Sequence, residues 1–334
     1  MKNIFKKHYG LIISIFIVIA FGIYMCFDMN KVREYSKNLF YMDTYINVKI
    51  YSKDPNKAKE SLKEIEKIYE EYHELSDRYN TYKGITNIKT INDNQNEILT
   101  VDEKLYKLLD FSIEMSKESE GLLNSNIGEL VDVWKKYRDK GTGLPTNEEL
   151  EEVNINISDI ELVKPNKITN NGKIDLGSTA KGYATEEVGK YLRKIGLKKY
   201  LINAGGNIIV GDHYNNGKYK IALENPDNKN EYFKILNIKN KAIVTSGGYE
   251  RFYEFEGKKY HHIIDPNTKY PPKFTKSVTV ITNDSGKADA LSTILFLMSV
   301  EDGKEYIKKY KDVDVIWYRN NGKVETTDGI KRYE

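Results

Sequence analysis

The chain is 334 residues long, 40% hydrophobic and 30% charged, with a formal net charge of +3. Its basic residues are scattered rather than gathered into a stripe, which excludes the electrostatic footprint of a nucleic-acid binder. Cys26 is the only cysteine, so no disulfide framework or thiolate metal site is available, and no repeat of fixed period marks a solenoid.

Residues 1–30 differ from everything after them. The run 11–27, LIISIFIVIAFGIYMCF, carries no charge, with Lys2, Lys6 and Lys7 before it and Asp28, Lys31 and Arg33 after it. As a helix it would be about 25 Å long, slightly short of a hydrocarbon core of roughly 30 Å, and flanking lysines snorkel across the difference. The amino-terminal lysines favour a cytoplasmic amino terminus, with residues 31–334 outside. Three readings compete: an uncleaved anchor, which is favoured; a cleaved signal using Ala20-Phe21-Gly22, whose apolar region is short; and a lipoprotein signal at Cys26, where Met25 stands in place of a small residue. The rest of the chain is long enough for one large domain or two interlocked lobes.

Residues 41–52 alternate Ile46, Val48 and Ile50 with polar neighbours, the pattern of a half-buried strand. Asp54-Pro55 opens a helix in which Leu62, Ile65, Ile68, Tyr69, Tyr72 and Leu75 recur at helical spacing. Further helices are expected near 102–119 and 127–138. The stretch 139–172 is rich in Gly, Pro, Asn and Glu and is expected to be a surface connection between lobes. Residues 173–188 read as a short strand, a turn at Gly177 and a helix.

Strands follow at 200–203, 207–210, 219–223, 242–246 and 277–282, with a hairpin around Gly257-Lys258. Helices at 183–195 and 288–299 pack against this sheet, followed by a helix near 302–310 and a terminal strand, VDVIWY. Helices and mostly antiparallel strands in blocks predict an α+β fold, a mixed, mostly antiparallel sheet with packed helices.

Four places depart from what packing alone requires. In KIDLGSTAKGYATEEV, Lys181 lies in the first turn of a helix whose free N–H groups suit phosphate, although the Walker A spacing is absent. Gly205-Gly206 in NAGGNI allows close approach of a backbone or a flat ligand, or serves a plain bulge. His261 and His262 alternate across a strand and cannot both face one ligand. Asp289 and Thr293, four apart, share one face of an apolar helix; they are either a helix cap and a backbone-bonded hydroxyl, or oxygen ligands of a hard cation.

In this order the blocks YMDTYINVKIY, NTYKGITNIKTIN, LLNSNIGELVDVW, IDLGSTAKGYATEEV, NAGGNI, TSGGYERF, HHIIDPNTKYPP, and SVTV followed by ADALST resemble the FAD:protein FMN transferases, the ApbE family of flavin transferases. The resemblance implies an enzyme that takes FAD as substrate with Mg2+ and transfers the FMN half, through its phosphate, to a Thr or Ser hydroxyl of an acceptor redox protein, releasing AMP. It implies metal ligation by Asp289, Thr293 and the carbonyl of Ser178. It places Met42, Tyr82, Leu122, Leu123, Asn124, Asp175, Lys181 and Ile264 around FAD.

His262 is the candidate base by residue type. Asn124 stands where the family usually has Asp, Ser178 replaces Gly or Ala, Glu186 replaces Asp, and Lys269 occupies the usual Gly of the DPxTG turn. The competing functions are a metal-dependent FAD pyrophosphatase and a non-catalytic flavin-binding surface protein.

Overall fold

The computed structural model describes residues 13–21 and 31–334. Residues 13–21 are helical and exposed (α1). The remainder of the apolar run, with Met25, Cys26 and the lysines before it, lies outside the described residues. Among the described residues no helix is long and apolar enough to cross a membrane.

The folded region begins with the hairpin β1 (Arg33–Tyr41) and β2 (Thr44–Ser52). The helix α2 (Pro55–Ser76) starts as its sequence predicts, with Pro55 at its first position and the Asp54 carboxylate accepting from the N–H groups of Asn56 and Lys57. Then come α3 (Ile88–Asp93), β3 (Leu99–Thr100), α4 (Glu103–Glu118), α5 (Gly128–Lys140) and α6 (Asn147–Glu151). β4 (Ile160–Val163), β5 (Lys167–Asn170), α7 (Ala180–Lys194), β6 (Tyr200–Ala204) and β7 (Asn207–Val210) follow. The chain continues through β8 (Tyr219–Asn225), β9 (Asn228–Ile238), β10 (Lys241–Gly247), β11 (Phe252–Phe255), β12 (Lys258–His261) and β13 (Thr275–Thr282). It ends with α8 (Ser285–Phe296), α9 (Val300–Tyr306), β14 (Asp314–Arg319) and β15 (Val324–Thr326).

An eight-stranded sheet, in the order β1-β2-β6-β7-β10-β13-β14-β15, organises the fold. Its strands pair antiparallel throughout, which bears out the α+β reading. α2, α7 and α8 cover one face, where Ile46, Val48, Ile50, Val280, Val315 and Trp317 meet Ile65, Tyr69, Val188, Leu291 and Ile294 in the main core. Each such aliphatic side chain contributes about 1.5–3 kcal/mol by leaving water. The β8–β9 hairpin covers part of the other face, burying Ile221, Leu223, Leu236 and Ile238 against Ile243, Ile281 and Ile316.

Several expectations need correction. The stretch 139–172 is not a bare surface connection: it holds α6 and the β4–β5 hairpin, whose Ile160 and Ile168 are buried in the main core. Its Asn and Glu residues supply caps and turns, as in the Thr146–Glu149 capping box. Residues 173–176 form no strand; they are held instead by Ile174 N–H to Asn92 Oδ1 and Asp175 N–H to the Ser125 carbonyl. VDVIWY is followed by β15. β1 and β9 had no sequence signal because their exposed edges carry charged and polar residues in place of clean alternation.

Candidate active site

The strand ends at β1–β2, β6–β7 and β10, together with the start of α7 and one face of α8, enclose a cavity of about 780 Å³. Gly205, at φ 58°, makes this convergence possible, because a Cβ there would sit 2.0 Å from Thr44 Oγ1. The paired glycines of NAGGNI therefore serve close backbone approach.

The question posed by Asp289 and Thr293 is answered by the α7–α8 contact. α8 is capped by Asp284, whose carboxylate accepts from Lys287 N–H at 2.8 Å, so Asp289 is not its cap. Asp289 instead reaches across to α7 and accepts from Gly182 N–H at 2.7 Å. Gly182 is the third residue of α7, so its N–H is one of the donors that a helix start leaves without an intrahelical acceptor. Among the described residues the Ser178 carbonyl has no hydrogen-bond partner. Thr293 Oγ1 lies 3.4 Å from Ser246 Oγ.

The Asp289 carboxylate, the Thr293 hydroxyl and Ser178 thus line one cavity. Asp289 is 5% exposed; burial raises its pKa, opposed by Lys181 and the Gly182 N–H. Lys181 Nζ stands 3.4 Å from Asp289 Oδ1. The two helices are locked by Glu186, which accepts from Ser285 N–H at 3.0 Å and pairs with Arg193, while Ser285 Oγ ties the start of α8 to β7 by donating to Asn207 Oδ1 at 2.6 Å.

Met42, Leu122, Leu123, Asn124, Asp175, His262 and Ile264 also line the cavity. Tyr82 does not line it. Its hydroxyl donates to Asp77 at 2.8 Å and lies 3.3 Å from His73 Nε2, while His73 Nδ1 accepts from Met42 N–H. Tyr82 therefore stands one layer behind the wall and braces the Met42-Asp43 turn, both of whose residues have positive φ.

His262 Nδ1 is 3.3 Å from the Arg251 carbonyl. A carbonyl can only accept, so Nδ1 carries the proton and Nε2 keeps its lone pair in the neutral ring. Burial, and then the Arg251 guanidinium, lower its pKa to about 4. His261 turns the other way, against Phe296 and the Pro272 carbonyl, as strand alternation requires.

The sequence reading missed Arg78, Arg138 and Arg251 in the wall, of which Arg138 and Arg251 add positive charge. Arg78 is neutralised by Asp132 and Asp175 at 3.0 and 3.2 Å. Arg251 lay within the TSGGYERF block, whereas Arg78 and Arg138 had no local signal.

The pattern of the ApbE family matches residues 42–317. The chain belongs to the ApbE family. The FAD:protein FMN transferase of Klebsiella pneumoniae (strain 342) is 29% identical over 308 residues, covering 88% of this chain and 92% of that protein. That of Treponema pallidum (strain Nichols) is 26% identical over 342 residues, covering 95% and 93%. The crystal structure of the ApbE protein from Thermotoga maritima MSB8 superposes with a TM-score of 0.82 at 26% identity, covering 90% of this chain and 99% of that one.

In this ApbE family member two of the residues expected to depart from the family motif, Asn124 and Lys269, have specific local partners. Asn124 donates to the Ile155 carbonyl at 2.7 Å and accepts from Asn126 N–H at 2.8 Å; an Asp there would set a carboxylate against a carbonyl. Lys269 keeps the turn geometry of a Gly, with φ 61°. Its ammonium donates to the Leu150 carbonyl at 2.6 Å, and its own carbonyl accepts from Trp134 Nε1 at 2.8 Å.

Proposed function

We propose that the chain is an FAD:protein FMN transferase that moves the FMN half of FAD, through its phosphate, onto a Thr or Ser hydroxyl of an acceptor protein and releases AMP. The observation that carries the reading is the meeting of the Asp289 carboxylate, the Thr293 hydroxyl and the free Ser178 carbonyl with Lys181 in one cavity. Three hard oxygen donors, only one of them charged, fit Mg2+ that completes its shell with substrate phosphate oxygens. When bound there, Mg2+ would neutralise charge on the pyrophosphate.

The protein's own groups have distinct tasks in this reading. Lys181 and Arg251 offset the phosphate charge, and Leu122, Leu123, Asn124 and Ile264 form the wall against which the flavin lies. The acceptor oxygen attacks the FMN phosphorus, the bond from that phosphorus to the bridging oxygen breaks, and AMP leaves with the electron pair. His262 Nε2 takes the proton of the attacking hydroxyl. The apolar run 11–27 and the lysines before it support an anchored enzyme acting outside the cytoplasm on membrane or exported redox proteins.

The test is to incubate the full chain with FAD, Mg2+ and a membrane extract, and to search for a protein that gains the mass of one FMN. AMP release without an adduct would instead favour hydrolysis of FAD, and FAD left intact would favour a carrier. His262→Asn is expected to lower FMN transfer by about 10²–10⁴-fold with FAD binding retained. Because burial and Arg251 disfavour the charged ring, the acid limb of kcat/KM assigned to His262 should fall below the ordinary imidazole value, toward about 4. A limb at or above neutrality that vanishes in His262→Asn would contradict this assignment.

A further inference from the structure

We propose that the open edge of β1 and the aromatic pair Phe40 and Tyr45 form the docking strip for the acceptor protein, which lays an extended apolar-containing segment along β1. The inference rests on the transferase reading above, since a macromolecular substrate must bring its hydroxyl to the cavity mouth.

β1 is the end strand of the sheet and runs nine residues in unbroken register with β2. Tyr41 and Thr44 close a two-residue turn, so they form a hydrogen-bonded pair and the outward direction alternates from there. The backbone N–H and C=O groups of Phe40, Asn38, Ser36 and Glu34 therefore point away from β2. Among the described residues none of these groups has a hydrogen-bond partner.

Long edges of this kind are normally shortened, bulged or guarded by charge. The opposite edge follows that rule, since β15 has three residues. The cavity end of β1 does not. Within the strand the charged side chain nearest that end, Lys37, is paired with Glu66; Asp43 follows in the turn and lines the cavity, and Phe40 and Tyr45 stand 59% and 79% exposed. They are cross-strand partners with ring centroids 5.1 Å apart, a ready surface for an apolar side chain.

The strip runs directly into the site. Met42 and Asp43, which follow β1, line the cavity, and the Asp43 carbonyl accepts from Arg251 at 2.9 Å. A segment paired with β1 gains main-chain hydrogen bonds along the edge and specificity from the aromatic pair. Two residues past the partner of Phe40, about 7 Å further on, its side chain reaches the cavity mouth.

Two variants of the full chain test this, with the acceptor found by its FMN mass gain as probe. Asn38→Pro removes one outward N–H without breaking the β1–β2 ladder, and Phe40→Ser combined with Tyr45→Ser removes the pair. Each is expected to raise the KM for the acceptor by about 10-fold or more, with kcat and FAD binding, read by flavin fluorescence, unchanged. Retained FAD binding shows that the variants are folded. Acceptor KM values within about twofold of wild type in both variants overturn the docking strip alone. A wild-type chain that adds FMN to no protein overturns the transferase reading, and the strip with it.

Discussion

Asp289→Asn is expected to lower FMN transfer on the order of 10³-fold, at every Mg2+ concentration, while leaving the fold in place. The amide removes the one charged donor of the oxygen set. Its carbonyl can still accept the Gly182 N–H that Asp289 Oδ2 now receives at 2.7 Å, so the α7–α8 contact persists. Lys181, partly exposed to the cavity, loses its ion-pair partner without being sealed from water. The check is a Mg2+ titration of FMN transfer beside a thermal melt. Full activity in the variant would remove Asp289 from the metal site, and a collapsed melt would show that its role is mainly structural.

Gly182→Ala should destabilise the protein by about 3 kcal/mol and abolish most activity. Two effects compete here. Intrinsic helix propensity favours Ala over Gly by roughly 1 kcal/mol in a helix interior. Against it, a Cβ at Gly182 would lie 2.4 Å from Asp289 Cβ and 2.6 Å from the Ser285 carbonyl oxygen. The second neighbour is backbone at the start of α8, held by Glu186 and Asn207, so relief requires the helices to part. Separation would also carry Asp289 away from Ser178. Differential scanning calorimetry decides between them: a melting temperature at or above wild type would show that the close contact is not tight.

Periodicity made most of the fold legible. Alternation in β2, helical spacing in α2, and the Asp54-Pro55 start all express interactions within a few residues, so they survive without knowledge of partners. β9 carries its exposed residues at the tip of a hairpin and β1 lies at an edge, and there burial does not impose a pattern. The β4–β5 hairpin was hidden for a different reason. The polar residues that flank it read as a loop, although Asn154 ties its two ends together by donating to Asp159 and to the Asn171 carbonyl.

The site divides in the same way. The i, i+4 spacing by itself placed Asp289 and Thr293 on one helix face, strand alternation by itself separated His261 from His262, and the ordered blocks marked the family. Only the tertiary structure showed that Asp289 caps the neighbouring helix beside an unpartnered Ser178 carbonyl, that Tyr82 braces the wall from behind, and that Arg78, Arg138 and Arg251 converge on the cavity. Local sequence determines backbone geometry and the facing of side chains, because both follow from torsion angles a few residues apart. Which group a buried carboxylate meets depends on how two distant segments pack, and no short-range pattern encodes that distance.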